Sequence, residues 1–198
     1  MKYARYTIAT LIVLCVSAPG ATRGEPLASS GTSPIPNGDF ESGNSVWTSV
    51  SNHDLLLYPL IVQAEELPSG VTPQSGSWAA WLGGFESDTS SIEQSVMVPA
   101  DTPKLTAWYW IESEETVCSF DRLSVTVNSV PIDNRDLCGS TSTGGWVPRT
   151  VDLSPWAGLT ATLRLQVTTD STLNSNVFID TLYFEIELDP VFDDGFEG

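Results

Sequence analysis

Short runs rich in β-branched and aromatic residues, each closed by a polar turn cluster, follow one another along this chain from Leu55 to Ile186. No window carries a convincing helical period, which excludes helix bundles and alternating strand–helix folds. The strand-like runs are Leu55–Ala64, Trp78–Leu82, Ile92–Val98, Leu105–Glu112, Arg122–Val127, Val130–Leu137, Trp146–Leu153, Thr160–Thr168 and Val177–Ile186. Several alternate cleanly: Leu163, Leu165 and Val167 oppose Thr162, Arg164 and Gln166, and Leu123, Val125 and Val127 oppose Ser124, Thr126 and Asn128. One face of each sheet is therefore wet, as in an antiparallel sandwich. Val177–Ile186 is apolar on both faces except at Asp180, Thr181 and Glu185, so a central position is expected for it. The fold class expected is all-β, an antiparallel two-sheet β-sandwich of jelly-roll type.

The ends read differently. Lys2 and Arg5 precede the uncharged run Thr7 to Val16, and the small residues Ser17, Ala18, Gly20, Ala21 and Gly24 follow, the layout of a secretory signal peptide. That run is too short to span a bilayer, which takes about 20 apolar residues. The expected organisation is a signal peptide over 1–24, a flexible linker over 25–36, the sandwich over 37–187 and an acidic mobile tail over 188–198. A secreted or periplasmic monomer is expected. Without residues 1–24 the chain keeps 25 acids against five bases, a formal charge of −20. Such a surface repels nucleic acid and anionic lipid, so neither a nucleic-acid partner nor membrane insertion is expected.

Two cysteines remain after the signal, Cys118 and Cys138, and in an exported chain a lone pair reads as a disulfide. Asn128-Ser129 between Leu123–Val127 and Val130–Asp133 is a two-residue hairpin signal. If Val127 faces Val130, Cys118 falls opposite Gly139, one position from Cys138 and within what a bulge or a strand end absorbs.

Two phrases bracket the domain. Asn37-Gly38-Asp39-Phe40-Glu41 places carboxylates on a glycine-flexed turn, and Phe178-Ile179-Asp180-Thr181-Leu182 carries one acid inside an apolar strand. An ionised acid there is costly unless something compensates it, and an all-oxygen set suits calcium. With Trp47, Ser75-Gly76-Ser77-Trp78-Ala79-Ala80-Trp81-Leu82-Gly83, Leu105–Ile111 and Val151–Gly158, these phrases resemble galactose-binding-like β-sandwich domains of secreted bacterial proteins, such as carbohydrate-binding modules of the CenC type and MAM-like domains. The resemblance covers about residues 37–187. It implies a structural calcium ion joining Glu41 of the first turn to Asp180 of the last strand, with Asp39 a further candidate ligand.

Chemistry beyond the clasp is sparse. Trp108 and Trp110 alternate with Leu105, Ala107, Tyr109 and Ile111, which places both indoles on one outer face, a flat strip suited to a sugar ring. Trp146, after Gly144-Gly145, is the third candidate ligand-binding aromatic; Trp47, Trp78, Trp81 and Trp156 read as packing residues. His53 is the only histidine and reads as a surface residue, and no nucleophile elbow, zinc-protease motif or phosphate loop appears. The acids Glu112, Glu114 and Glu115 read as a solvated turn, and Glu185 with Glu187 as a strand exit. The expected function is a noncatalytic exported binding module for polysaccharide or surface glycan. The alternative is a structural or protein-interaction domain with no sugar ligand.

Overall fold

Side-chain alternation decides which way each strand faces. The computed structural model describes residues 33–185. The readings made on the signal peptide, on residues 25–32 of the linker, on Glu187 and on the tail lie outside the described residues. Strands β1 (Ser33–Pro34), β2 (Thr48–Ser51), β3 (Ile61–Gln63), β4 (Trp78–Gly83) and β5 (Thr89–Met97) come first. They are followed by β6 (Lys104–Ser113), β7 (Asp121–Val127), β8 (Val130–Leu137), β9 (Val147–Asp152), β10 (Thr160–Thr168) and β11 (Ser175–Phe184).

These strands form two antiparallel sheets, one in the order β3-β4-β11-β6-β9 with β1 added to the end of β11, the other in the order β2-β5-β10-β7-β8. The doubly apolar β11 is central, between β4 and β6. Leu123, Val125, Val127, Leu163, Leu165 and Val167 from one sheet meet Leu82, Tyr109, Ile111, Val177 and Ile179 from the other in the inter-sheet core. A second, smaller cluster lies on the outer face of the β11 sheet: Val62, Ala79 and Phe178 are buried there beneath Leu67 and Val71. Leu67 and Val71 belong to the 64–76 connection, whose apolar side chains find cover only by folding over that face.

Two readings change. Leu55–Ala64 is not one strand; only Ile61–Gln63 pairs. The Asp54 carboxylate accepts the Leu56 N–H at 2.9 Å, and its carbonyl accepts those of Leu57 and Tyr58 at 3.0 and 2.9 Å, which winds residues 54–58 into a turn. Pro59, which has no N–H to give a ladder, keeps the strand from starting earlier. Second, Ser33 and Pro34, inside the stretch read as linker, pair with Phe184 and Tyr183.

The hairpin at Asn128-Ser129 forms, with φ of 48° and 66° at the two turn residues. Val127 faces Val130, but a bulge between Val125 and Thr126 then pairs Asp121 with Leu137. That shift carries Cys138 away from the position opposite Cys118, and the strand ends do the bridging instead. Beyond Asp121 and Leu137 the chain turns back, Cα118 and Cα138 lie 5.1 Å apart, and the disulfide closes. Removing it with a Cys118→Ser/Cys138→Ser double variant should cost about 3 kcal/mol by the loop-closure relation, or roughly 10 °C in Tm by calorimetry. An unchanged Tm would show that the hairpin constrains that loop without the bond.

Candidate functional site

The first turn and the last strand do meet. Asn37, at a φ of 50°, accepts the Ser42 N–H on its side-chain oxygen and gives its amide hydrogens to Gly43 O and Ser45 O. Its carbonyl takes the Trp47 indole N–H at 2.8 Å, while Phe40 packs on Trp47 in the core. Gly38 O accepts the Leu182 N–H at 2.8 Å, and any Cβ on Gly38 would overlap the Leu182 carbonyl oxygen. The register of β11 against β6 slips between Asp180 and Tyr183, so a bulge sits where the turn docks.

Both predicted carboxylates close on the turn 75–78. Glu41 Oε1 accepts the N–H groups of Ser77 and Trp78 at 2.8 and 2.9 Å. Asp180 Oδ2 accepts Ser75 N–H at 2.9 Å and Oδ1 accepts Thr181 N–H at 2.6 Å. Gly76 between them has φ of +56°, and a Cβ there would run into the Glu41 carboxylate. Asp180 is wholly buried. Desolvation, only partly offset by the hydrogen bonds from Ser75, Thr181 and Gln74, leaves its carboxyl raised to about 6. Asp39 is exposed and takes only the Glu41 N–H at 3.4 Å.

Trp108 and Trp110 both lie on the outer face of β6, as their alternation with core residues requires. Their surroundings differ. Phe178 stands opposite both Trp81 and Trp110, and Trp110 lies beside Trp146, so an aromatic row crosses β4, β11, β6 and the start of β9 with centroid spacings of 5.8, 6.4 and 6.1 Å. Trp146 is not a free loop tip: its indole N–H donates to Thr72 O at 2.8 Å. Trp110 is packed against the outer cluster and its ring N–H is buried. Only Trp108 of the pair stays outside that cluster.

Sequence reading missed an open cleft of about 450 Å³ beside this row, lined by Leu57, Tyr58, Leu60, Val62, Trp81 and Phe85. The Tyr58 and Phe85 rings meet edge-on at 4.9 Å, and His53 lies over Phe85 at 4.3 Å. Asn52 fixes the two walls to each other, donating to Ser87 O and accepting from Thr89 N–H, both at 2.8 Å. Trp81, expected to be structural, is half-buried with its ring N–H on Asn176 Oδ1 at 2.8 Å, and it forms part of the cleft wall. The available signal was the run Leu55-Leu56-Leu57-Tyr58: Leu56 is 92% and Leu57 70% exposed, uncommon for adjacent leucines without a partner.

The other acids sort by environment. Glu112 and Glu114 are exposed as expected, but Glu115 is 3% exposed, and its carboxyl is raised by burial first and by the charges of Asp121 and Asp170 next. The solvated-turn reading fails there because the chain turns inward after β6 and Glu115 O accepts the Gly139 N–H at 2.8 Å. Glu185 is half-buried and accepts from the hydroxyls of Thr106 and Thr150.

No protein-family model matches the chain. Among curated proteins, the pre-pro-metalloprotease PrtV of Vibrio cholerae is 26% identical over 145 residues, 65% of this chain. This chain spans only 15% of that relative's length. Among solved structures, the carbohydrate-binding module TmCBM61, in complex with beta-1,4-galactotriose, aligns at a TM-score of 0.51 and 19% identity over 77% of this chain and 97% of its own. The K3 cleaved adhesin domain of Lys-gingipain from Porphyromonas gingivalis aligns at 0.51 and 13% over 76% and 97%, and the K2 domain at 0.52 and 17% over 75% and 96%. The fold is a two-sheet β-sandwich like that of these carbohydrate-binding and adhesin domains. As expected from the sequence, the last strand is central and the first turn docks on it. Among the described residues no helix is long and apolar enough to cross a membrane.

Because the folded Asp180 carboxyl holds its proton up to about 6 and an unfolded one releases it near 3.9, the native state binds more protons between those values. In chelator, stability should therefore fall as pH rises from about 4 to about 6 and level off above. Denaturant titrations of wild type and Asp180→Asn should show a stability difference that changes by up to about 3 kcal/mol across that window. A pH-independent difference would place the Asp180 carboxyl in the ordinary range.

Proposed function

We propose that this chain is a noncatalytic binding module of an exported protein, and that it holds a carbohydrate in the cleft walled by Tyr58, Trp81 and Phe85. The cleft is the observation that carries this reading. Three aromatic rings and the exposed Leu57 offer an apolar wall for the C–H face of a pyranose, and Glu66 supplies polar atoms for hydroxyls. The ligand in the TmCBM61 complex, and the adhesin and protease proteins in which similar domains occur, support binding and export. The disulfide supports an oxidising compartment. A protein-interaction role draws support from Leu56 and Leu57, which fit a partner's apolar surface as well as a sugar.

Affinity electrophoresis against a polysaccharide panel that includes a β-1,4-galactan tests the first reading. Tyr58→Ala and Phe85→Ala should each weaken binding about tenfold or more, about 1.4 kcal/mol, while Trp108→Ala leaves it unchanged. Binding that survives both cleft substitutions and fails with Trp108→Ala would move the site to the β6 face. No polysaccharide binding at all would favour the protein partner.

Calcium at the clasp belongs to the same proposal. Glu41 and Asp180 offer hard oxygen donors, Glu41 Oε2 accepts no hydrogen bond among the described residues, and Asp180 Oδ2 takes only the Ser75 N–H there, whereas Oδ1 takes both the N–H and the hydroxyl of Thr181. Glu41 and Asp180, with Asp39 nearest in sequence, would hold the ion, which would offset the burial of the Asp180 charge. Glu41→Gln should reduce the calcium-dependent gain in Tm; an unchanged gain would remove the clasp from calcium binding.

A further inference from the structure

The opposite end of the domain holds a second acidic site of different make. Glu115 lies on the β6–β7 connection, Asp121 opens β7, and Asp170 follows β10. Each offers a carboxylate oxygen, and the three oxygens lie within 4.8 Å of one another. Asp121 is wholly buried. Its Oδ1 accepts the Asp170 N–H at 2.8 Å, but its Oδ2 is buried with no hydrogen-bond partner. The Asn174 side-chain oxygen, on the loop that follows Asp170, is also buried without a partner, and Asn174 pairs through its backbone with Glu114.

Among the described residues no lysine, arginine or histidine forms an ion pair with any of the three acids. Arg122, next to Asp121 in sequence, turns to Asp136 at 2.8 Å. A buried carboxylate with two more carboxylates within 4.8 Å, one of its oxygens without a donor and no cation paired with it among the described residues, is electrostatically incomplete. We propose that Glu115, Asp121 and Asp170 bind a divalent hard cation, calcium in preference to magnesium, at the end of the sandwich where two connections cross between the sheets.

The donor chemistry chooses the ion. All the donors are oxygens, and both nearby cysteine sulfurs are taken up in the Cys118–Cys138 disulfide, which leaves no soft ligand for zinc. Irregular loops suit calcium's flexible coordination, whereas magnesium demands near-ideal octahedral geometry and keeps most of its waters. Thr172, hydrogen-bonded from its hydroxyl and its N–H to Asp170 Oδ1, steadies that carboxylate. The ion would tie the β6–β7 and β10–β11 connections together, and so join the two sheets at this end. It would also stiffen the cleft, because Ser87, next to the Phe85 wall, donates its N–H to Asp170 O.

The discriminating variant is Asp121→Asn. It keeps an oxygen for the Asp170 N–H and puts an amide donor where Oδ2 has no partner. In chelator, its Tm should lie above that of wild type because one like charge is gone. On adding calcium, wild type should gain Tm and the variant should gain less, so that the two curves cross. Calcium titration calorimetry on the chelator-treated chain should show binding at least tenfold weaker in Asp121→Asn and Glu115→Gln, with this event retained in Glu41→Gln. Calcium binding that Glu41→Gln abolishes and Asp121→Asn leaves intact would overturn the proposal and assign the ion to the clasp alone. No calcium binding in any variant, or a chelator Tm lowered by Asp121→Asn, would overturn it equally.

Discussion

Two carboxylates that accept the N–H groups of one turn hold the start of this domain to its end. Glu41 takes the N–H groups of Ser77 and Trp78, and Asp180 takes that of Ser75. The buried charge of Asp180 is expensive in isolation; preorganised N–H donors offset part of that cost, and each such charged hydrogen bond contributes about 1.5–3 kcal/mol. Gly76 is required between them because the Glu41 carboxylate occupies the space a side chain would need. The turn leads directly into β4, so its position fixes the register of β4 against β11 and with it Trp81 opposite Phe178.

The domain therefore divides its work along β4. Trp78 begins that strand at the clasp, and Gly83 ends it at the cleft, about 17 Å away at the usual strand rise. The clasp end joins first turn to last strand. The other end carries the cleft, the disulfide and the carboxylates of Glu115, Asp121 and Asp170 on loops that cross between the sheets. Backbone hydrogen bonds at Asp88, Thr169 and Asp170 connect those loops to the turn bearing Phe85. Binding surfaces carried on loops over a rigid sandwich are the common arrangement for such scaffolds.

Much of the frame was legible in the sequence because it rests on local rules. Period-two alternation gave the inward faces of β7 and β10, Asn128-Ser129 announced its hairpin, and the apolar Val177–Ile186 declared itself central. The bulge near Ile132 was foreseen only as a possibility, and it runs opposite to the direction that would have aligned the cysteines. The cleft was hidden because a continuous apolar run such as Leu55–Leu57 looks the same whether it enters a strand or winds into a turn. Cover over Trp110 was hidden too, since Leu67 and Val71 sit in a stretch whose prolines and glycine read simply as turn. Glu115 looked like part of a charged surface run; its companions Asp121 and Asp170 come from other segments, and only tertiary folding brings them together.

Native-state hydrogen exchange at the amides of Ser75, Ser77, Trp78 and Leu182, compared between wild type and Glu41→Ala, tests the clasp most directly. The account predicts that in wild type these four exchange nearly as slowly as the amides of β10. In the variant, Ser77 and Trp78 should exchange orders of magnitude faster while β10 stays protected. Fast exchange at Ser77 and Trp78 in the wild-type protein, or protection unchanged by the substitution, would contradict the claim that these carboxylates hold the domain closed.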